Sequence, residues 1–125
     1  MPKRRVLIVE DDPNIAFDLE VIVAEALDAE VLLSRSVARA KAILAHKALL
    51  ARSVDFALLD VDLTDGKTFE IAVMLRTRQV PFVFLSAAQP EQLPDDLRDA
   101  PSIAKPCDER VLVRRIREML PAAEK

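Results

Sequence analysis

Short apolar runs of strand length alternate along this chain with longer stretches of helical period, and this alternation constrains the fold more than any other feature. The candidate strands are residues 5–9, 30–33, 55–59, 81–85 and 102–104. Three of these runs are rich in Val, Ile, Leu and Phe, as strands buried on both faces of a parallel sheet are. Strands that alternate with helices form parallel sheets through crossover connections. The pattern therefore predicts an α/β, doubly wound fold around a five-stranded parallel sheet, with helices on both faces.

The stretches between the candidate strands carry the signals of helices. Asp12 is a carboxylate N-cap followed by Pro13, which favours the first helical position, so the first helix begins there. Its predicted core face consists of Ile15, Leu19, Ile22, Val23 and Ala26. The same period predicts helices over residues 36–52 and 68–78, and a last helix that begins after Asp108.

The segment between the fourth and fifth strands is poorly suited to a helix. It contains Pro90, Pro94 and Pro101, and a proline inside a helix removes a hydrogen bond and clashes with the preceding turn. We therefore expect the fourth helix to be short or degraded, with one turn or none.

Size and composition limit the classes of function. The 125 residues suffice for one core but not for two, so residues 1–125 are predicted to form a single domain. The net charge of −3 argues against direct binding of nucleic acid. Acidic residues interrupt the apolar stretch 15–33, which excludes a membrane span there. The single cysteine, Cys107, fits a reducing compartment, so we expect a cytoplasmic protein.

Chemically active residue types follow four of the candidate strands. They are Glu10, Asp11 and Asp12 after the first strand, Asp60 after the third, Ser86 after the fourth and Lys105 after the fifth. In an open parallel sheet these strand ends meet at one edge, and ligands bind where the strand order reverses. Clustered carboxylates repel one another unless they are protonated or hold a hard cation, and Mg²⁺ prefers oxygen ligands. The sequence predicts a Mg²⁺ site at this edge, although helix capping alone explains Asp12.

The same residues indicate phosphoryl transfer. Asp60 stands alone at the end of the central strand, and a carboxylate can form an acyl phosphate. The ammonium of Lys105 and the hydroxyl of Ser86 would offer a charge partner and a hydrogen-bond donor to a phosphoryl group. We therefore interpret Asp60 as the nucleophile.

The chain resembles the receiver domains of two-component response regulators in four segments, V-L-I-V-E-D-D-P, A-L-L-D-V-D-L-T-D-G, F-V-F-L-S-A-A and I-A-K-P. The resemblance spans nearly the whole chain and implies a flavodoxin-like sheet of strand order 2-1-3-4-5. It implies that Asp60 is the phosphoacceptor, Ser86 the switch hydroxyl and Lys105 the lysine that pairs with the phosphoryl group. The implied function is a switch and not a turnover enzyme. Its implied partners are a sensor histidine kinase or phosphotransfer protein and an unknown downstream protein target.

The resemblance also implies how the cation is held. In the family two carboxylates contact Mg²⁺ directly, a third acts through water and one main-chain carbonyl is a ligand. The matching residues here are, in that order, Asp11, Asp60, Glu10 and Asp62. The peptide bond between the family's lysine and the following proline, here Pro106, is cis.

Two features leave the output surface open. Ser102 stands where the family usually has an aromatic residue, so a switch based on a turning ring is not expected. Phe17, Val21 and Ala24 lie opposite the core face of the first helix, and either partner docking or additional core contact would explain their apolar character.

An enzyme is the main alternative function. Residues 60–64, D-V-D-L-T, match the D-x-D-x-T nucleophile loop of haloacid-dehalogenase-like phosphatases, which also use an aspartyl phosphate and Mg²⁺. In that family the loop follows the first strand of a longer chain, whereas here it follows the third. Steady turnover of an aryl phosphate would favour the phosphatase.

Overall fold

The computed structural model describes residues 4–46, 54–86, 93–105 and 108–120. Its helices and strands, in chain order, are β1 (Arg5–Val9), α1 (Pro13–Leu27), β2 (Glu30–Ser34), α2 (Val37–Ala45), β3 (Phe56–Asp60), β4 (Asp62–Leu63), β5 (Gly66–Lys67), α3 (Phe69–Thr77), β6 (Phe82–Ser86), β7 (Ser102–Ala104) and α4 (Glu109–Met119). Among the described helices, none is both long and apolar enough to cross a bilayer.

Five of these strands form a parallel sheet in the order β2-β1-β3-β6-β7. Strands β4 and β5 form a separate antiparallel hairpin, so the main sheet has the predicted order 2-1-3-4-5. The predicted α/β, doubly wound fold is confirmed. Because the chain runs outward in opposite directions from β1 and β3, the strand order reverses between these two strands, and a crevice forms at their carboxyl ends.

The sheet is covered on both faces, and alternate residues of each strand point to opposite faces. On one face Leu7 and Val9 of β1 belong to the core cluster that includes the buried residues of α2 and α3. On the other face Val6 and Ile8 belong to the cluster that includes Leu19 and Val23 of α1 and the buried residues of α4. The central strand β3 is buried over its whole length, which makes it a rigid base for Asp60.

The predicted strands are all present, but β2, β3 and β6 each end one residue later than predicted. Asp60 is the last residue of β3, because it still pairs with Leu85 and the next amide, that of Val61, donates to the Leu85 carbonyl at 3.2 Å. Ser86 is the last residue of β6, and its carbonyl accepts from the Lys105 amide at 3.2 Å. At β3 and β6 the hydrogen-bond ladder therefore extends one residue beyond the apolar run.

The predicted first helix is confirmed, and its N-cap is Asp12. The carboxylate of Asp12 accepts hydrogen bonds from the amides of Asn14 and Ile15 at 2.9 and 3.2 Å. Leu19 and Val23 of the predicted core face are fully buried. The other members of that face, Ile15, Ile22 and Ala26, are half-buried.

The second helix is shorter than predicted. It ends at Ala45, because His46 follows with φ −68° and ψ 137°, an extended conformation that cannot continue a helix. Residues 47–52 of the predicted helix lie outside the described residues. The last helix follows its predicted N-cap, Asp108, whose carboxylate accepts from the amides of Arg110 and Val111 at 2.8 and 3.3 Å.

The fourth crossover matches the expectation of a degraded helix as far as it is described. Over residues 93–101 its helical structure is one 3₁₀ turn, Asp95–Leu97, which begins after Pro94. The turn is anchored because Leu93 and Leu97 are buried in the core cluster beneath α2 and α3. Residues 87–92, which include Pro90, lie outside the described residues.

Candidate functional site

Three carboxylates meet where the strand order reverses. Glu10 and Asp11 follow β1, Asp60 ends β3, and each offers an oxygen that lies within 4.8 Å of an oxygen from the other two. Glu10 is 1% exposed and Asp60 is 6% exposed, whereas Asp11 is half-buried. The sequence prediction that these residues lie together is thus confirmed by the geometry.

Lys105 brings a positive charge into this cluster from β7, on the far side of β6. Its Nζ lies 3.1 Å from Glu10 Oε1 and 3.3 Å from Asp60 Oδ1. The pairing of β7 with β6 places Lys105 there, because its amide donates to the Ser86 carbonyl at the end of the ladder. One ammonium therefore bridges two buried carboxylates.

The protonated, neutral form of Asp60 is more favourable in this cluster than it is in water. Burial, followed by the negative charge of Glu10, raises the pKa of Asp60 to about 6, and Lys105 offsets only part of this effect. Burial opposes the charged form of Lys105, but its hydrogen bond to Glu10 and the charge of Asp60 outweigh burial and raise the Lys105 pKa. A bound cation would relieve the repulsion between Asp60 and Glu10.

The carboxylate of Asp11 is held by the hairpin that follows β3. Asp11 Oδ2 accepts one hydrogen bond from the Thr64 amide and another from Thr64 Oγ1, both at 2.8 Å. Glu10 is also oriented, because its Oε2 accepts from the Asp12 amide at 3.2 Å. Hydrogen bonds from the hairpin and from the loop after β1 therefore fix the orientations of Asp11 and Glu10.

Two further residues near the site were not anticipated from the sequence. Thr68 is fully buried, and its hydroxyl donates to the Asp60 carbonyl at 2.8 Å, which fixes the backbone that carries the Asp60 carboxylate. Asp65 accepts from the amides of Val37 and Ala38 at 2.9 and 3.1 Å, so it caps α2. The apolar period predicts a helix over residues 68–78, but no pattern in the sequence indicates that the Thr68 hydroxyl donates to the Asp60 carbonyl.

The remaining sequence predictions for the site concern Ser86, Asp62 and Pro106. Ser86 is half-buried at the end of β6, beside the strand that carries Asp60. Asp62 lies in the hairpin with its side chain in an ion pair with Lys67, and its role as a carbonyl ligand stays a prediction. The predicted cis bond falls on Pro106, which lies outside the described residues.

The apolar patch opposite the core face of α1 is partly solvent-exposed. Phe17 is 63% exposed and Ala24 is exposed, so additional core contact is wrong for these two residues, whereas Val21 is half-buried. Phe17 and Val21 line a groove of about 440 Å³ that also reaches Lys105. The groove beside this face of α1 therefore extends to the lysine that contacts the carboxylate cluster.

The cluster suits a hard divalent cation. Its ligand atoms are carboxylate oxygens, the donors that Mg²⁺ prefers. The carboxylates of Glu10 and Asp11 are already oriented by hydrogen bonds from main-chain amides. A carboxylate at the end of a rigid strand, a cation site and an ammonium within 3.3 Å form an arrangement that can stabilise a transferred phosphoryl group.

No protein-family model matches the chain. Among curated proteins, the chain is 37% identical over 105 residues to the phyllosphere-induced regulator PhyR of Methylorubrum extorquens. That match covers 81% of this chain and 38% of PhyR, so the chain spans well under half of the relative's length.

Two solved structures resemble the chain over nearly its full length. The non-phosphorylated receiver domain of HemR from Leptospira biflexa is 25% identical with a TM-score of 0.76, and the match covers 98% of this chain and 100% of that domain. SdrG from Sphingomonas melonis Fr1 is 31% identical with a TM-score of 0.72, and the match covers 92% of this chain and 94% of SdrG. These comparisons give no support to the phosphatase alternative.

Proposed function

Because this chain belongs to the receiver-domain family of two-component response regulators, we propose that Asp60 accepts a phosphoryl group and that the domain acts as a phosphorylation switch. One observation carries the proposal. The Asp60 carboxylate ends the fully buried central strand, 3.3 Å from the Lys105 ammonium and beside the carboxylates of Glu10 and Asp11.

The proposed reaction is a direct transfer between two proteins. An oxygen of ionised Asp60 attacks the phosphorus of a phosphohistidine on a sensor histidine kinase or phosphotransfer protein. The phosphorus–nitrogen bond breaks, the imidazole leaves with its electron pair, and an acyl phosphate remains on Asp60. Slow hydrolysis of that acyl phosphate returns the free carboxylate, so the domain is a switch and not a turnover enzyme.

Mg²⁺ is the proposed cofactor. Asp11 and Asp60 would hold it directly, Glu10 through water, and Asp62 through its main-chain carbonyl. When bound, the cation supplies positive charge that lets an anionic donor approach the carboxylates. The donor set supports this assignment, because all three clustered side chains are carboxylates.

Lys105 and Ser86 are the proposed partners of the phosphoryl group. The Lys105 ammonium lies beside both Glu10 and Asp60, and it would exchange these contacts for a phosphoryl oxygen that carries more charge. Ser86, at the end of the adjacent strand β6, would donate its hydroxyl to a second phosphoryl oxygen. Downstream, the switch would act on a protein target in the cytoplasm, without direct contact to nucleic acid or membrane.

Beryllofluoride binding tests this function without a kinase. Beryllofluoride with Mg²⁺ should form a one-to-one complex with the parent protein that ¹⁹F NMR detects, because it mimics a phosphoryl group on a carboxylate. Asp60→Asn should abolish the complex, while Asp96→Asn, a change at an exposed aspartate of the 3₁₀ turn, should leave it intact. Equal binding by Asp60→Asn, or steady turnover of an aryl phosphate by the parent, would overturn the proposal.

A further inference from the structure

Thr64 is the polar residue of the D-V-D-L-T segment to which the proposed function assigns no role. It lies in the turn between β4 and β5, where Asp62 pairs with Lys67 and Leu63 pairs with Gly66. The turn brings it to Asp11, which is distant by 53 positions in the sequence. The threonine of this segment thus contacts a carboxylate of the site.

The contact between Thr64 and Asp11 is double and involves a single acceptor atom. The amide and the hydroxyl of Thr64 both donate to Asp11 Oδ2, each at 2.8 Å. Two donors on one oxygen fix the rotation of the carboxylate group about its bond to Cβ. Because both hydrogen bonds use Oδ2 of Asp11, Oδ1 is the oxygen of this carboxylate that is available to a cation.

The turn that carries Thr64 is itself held in place. Asp62 and Lys67 form an ion pair across the hairpin. Asp65, the next residue after Thr64, accepts two hydrogen bonds from the first amides of α2. The Thr68 amide closes the loop by donating to the Val61 carbonyl at 3.1 Å. Thr64 therefore presents its two donors from a braced loop.

We propose that Thr64 is a positioning residue for the cation site, which orients Asp11 so that its Oδ1 is the ligand. A hydrogen-bonded carboxylate of this kind binds a metal through its free oxygen, and removal of such an outer partner typically weakens metal binding by roughly 10–100-fold. The inference rests on the proposed Mg²⁺ site, and it names the residue that orients one ligand of that site before the cation binds.

Mg²⁺ titration of three variants tests the inference, with amide chemical shifts in NMR as the readout and no phosphodonor present. Thr64→Val removes the hydroxyl but keeps the branched shape and the main-chain amide, so we expect roughly tenfold weaker binding. Thr64→Ser restores the hydroxyl and should bind within about twofold of the parent. Thr77→Val, at an exposed threonine at the end of α3, should not change the affinity.

The outcomes separate this inference from the proposed function. Unchanged or tighter Mg²⁺ binding by Thr64→Val would overturn the positioning role, and so would equal losses in Thr64→Val and Thr64→Ser. The amides of Val37 and Ala38, which report the Asp65 cap, should keep their shifts in metal-free Thr64→Val. A disrupted cap would mean that the hairpin collapses and would also overturn the inference. Failure of the parent to bind Mg²⁺ would instead defeat the cation site itself.

Discussion

At the scale of single residues, Asp60 shows how burial of a carboxylate lowers the stability of the fold. Burial, followed by the negative charge of Glu10, raises the pKa of the Asp60 carboxyl from 3.8 to about 6. Between these two pH values the folded protein binds more protons than the unfolded chain, so the free energy of unfolding falls as the pH rises through this window. Ionisation of Asp60 at neutral pH therefore lowers the free energy of unfolding of the protein.

Asp60→Asn should remove this loss, because an amide stays neutral at every pH in the window. We expect the variant to exceed the parent in stability at pH 7 by on the order of 2 kcal/mol, and the difference to shrink toward pH 4. Urea unfolding in the presence of EDTA measures it, with Asp96→Asn as the control. A difference that does not depend on pH would contradict the assignment.

Thr68 allows a second prediction at this scale. Its buried hydroxyl donates to the Asp60 carbonyl at 2.8 Å, and Thr68→Val keeps the shape while leaving that carbonyl without its donor. We expect a loss of stability of about 1–2 kcal/mol in chemical denaturation. Thr77→Val, which changes an exposed threonine, should lose less than about 0.5 kcal/mol. Equal effects of the two substitutions would show that the buried bond contributes nothing.

At the scale of elements, the start of α2 depends on a residue far along the chain. Ser36 caps the helix locally by accepting from the Arg39 amide at 3.0 Å. Asp65 adds two hydrogen bonds from the amides of Val37 and Ala38, and these bonds lower the pKa of Asp65. The carboxylate also suits the positive end of the helix dipole. These hydrogen bonds therefore attach the β4–β5 hairpin to the first turn of α2.

Asp65→Ala should loosen the first turn of α2. We expect faster hydrogen exchange at the amides of Val37 and Ala38 in the variant at neutral pH, with the end of the helix unchanged. Because the folded pKa of Asp65 is lowered from 3.8, the cap is fully formed above that pH and is lost as the pH falls through the folded value. The parent should approach the variant only at such acid pH. Equal exchange in both proteins at neutral pH would contradict the cap.

At the scale of the whole molecule, the sequence was sufficient for the architecture and for the location of the site. The alternation of strands and helices predicted the sheet, and the strand ends predicted that Glu10, Asp11, Asp60 and Lys105 would meet. The hairpin was missed, because its contacts join Thr64 to Asp11 and Asp65 to α2 across 53 and 28 positions. No local period or propensity records such long-range hydrogen bonds.

The bounds of the elements were the other part that the sequence did not determine. Apolar runs predicted β3 and β6 to end before Asp60 and Ser86, whereas the ladder includes both residues. The apolar period likewise suggested a longer second helix than the one that ends at Ala45. Main-chain hydrogen bonds, which do not depend on side-chain polarity, set the ends of the strands, whereas the extended backbone of His46 ends α2.

Phosphoryl transfer to Asp60 is the central claim, and intact-mass measurement after incubation with acetyl phosphate and Mg²⁺ tests it most directly. The parent and Asp96→Asn should each gain the mass of one phosphoryl group, in a bond that hydroxylamine cleaves, as expected for an acyl phosphate. Asp60→Asn should gain none, because its amide cannot form that bond. Labelling of Asp60→Asn to the same extent as the parent, or no labelling of the parent, would contradict the account.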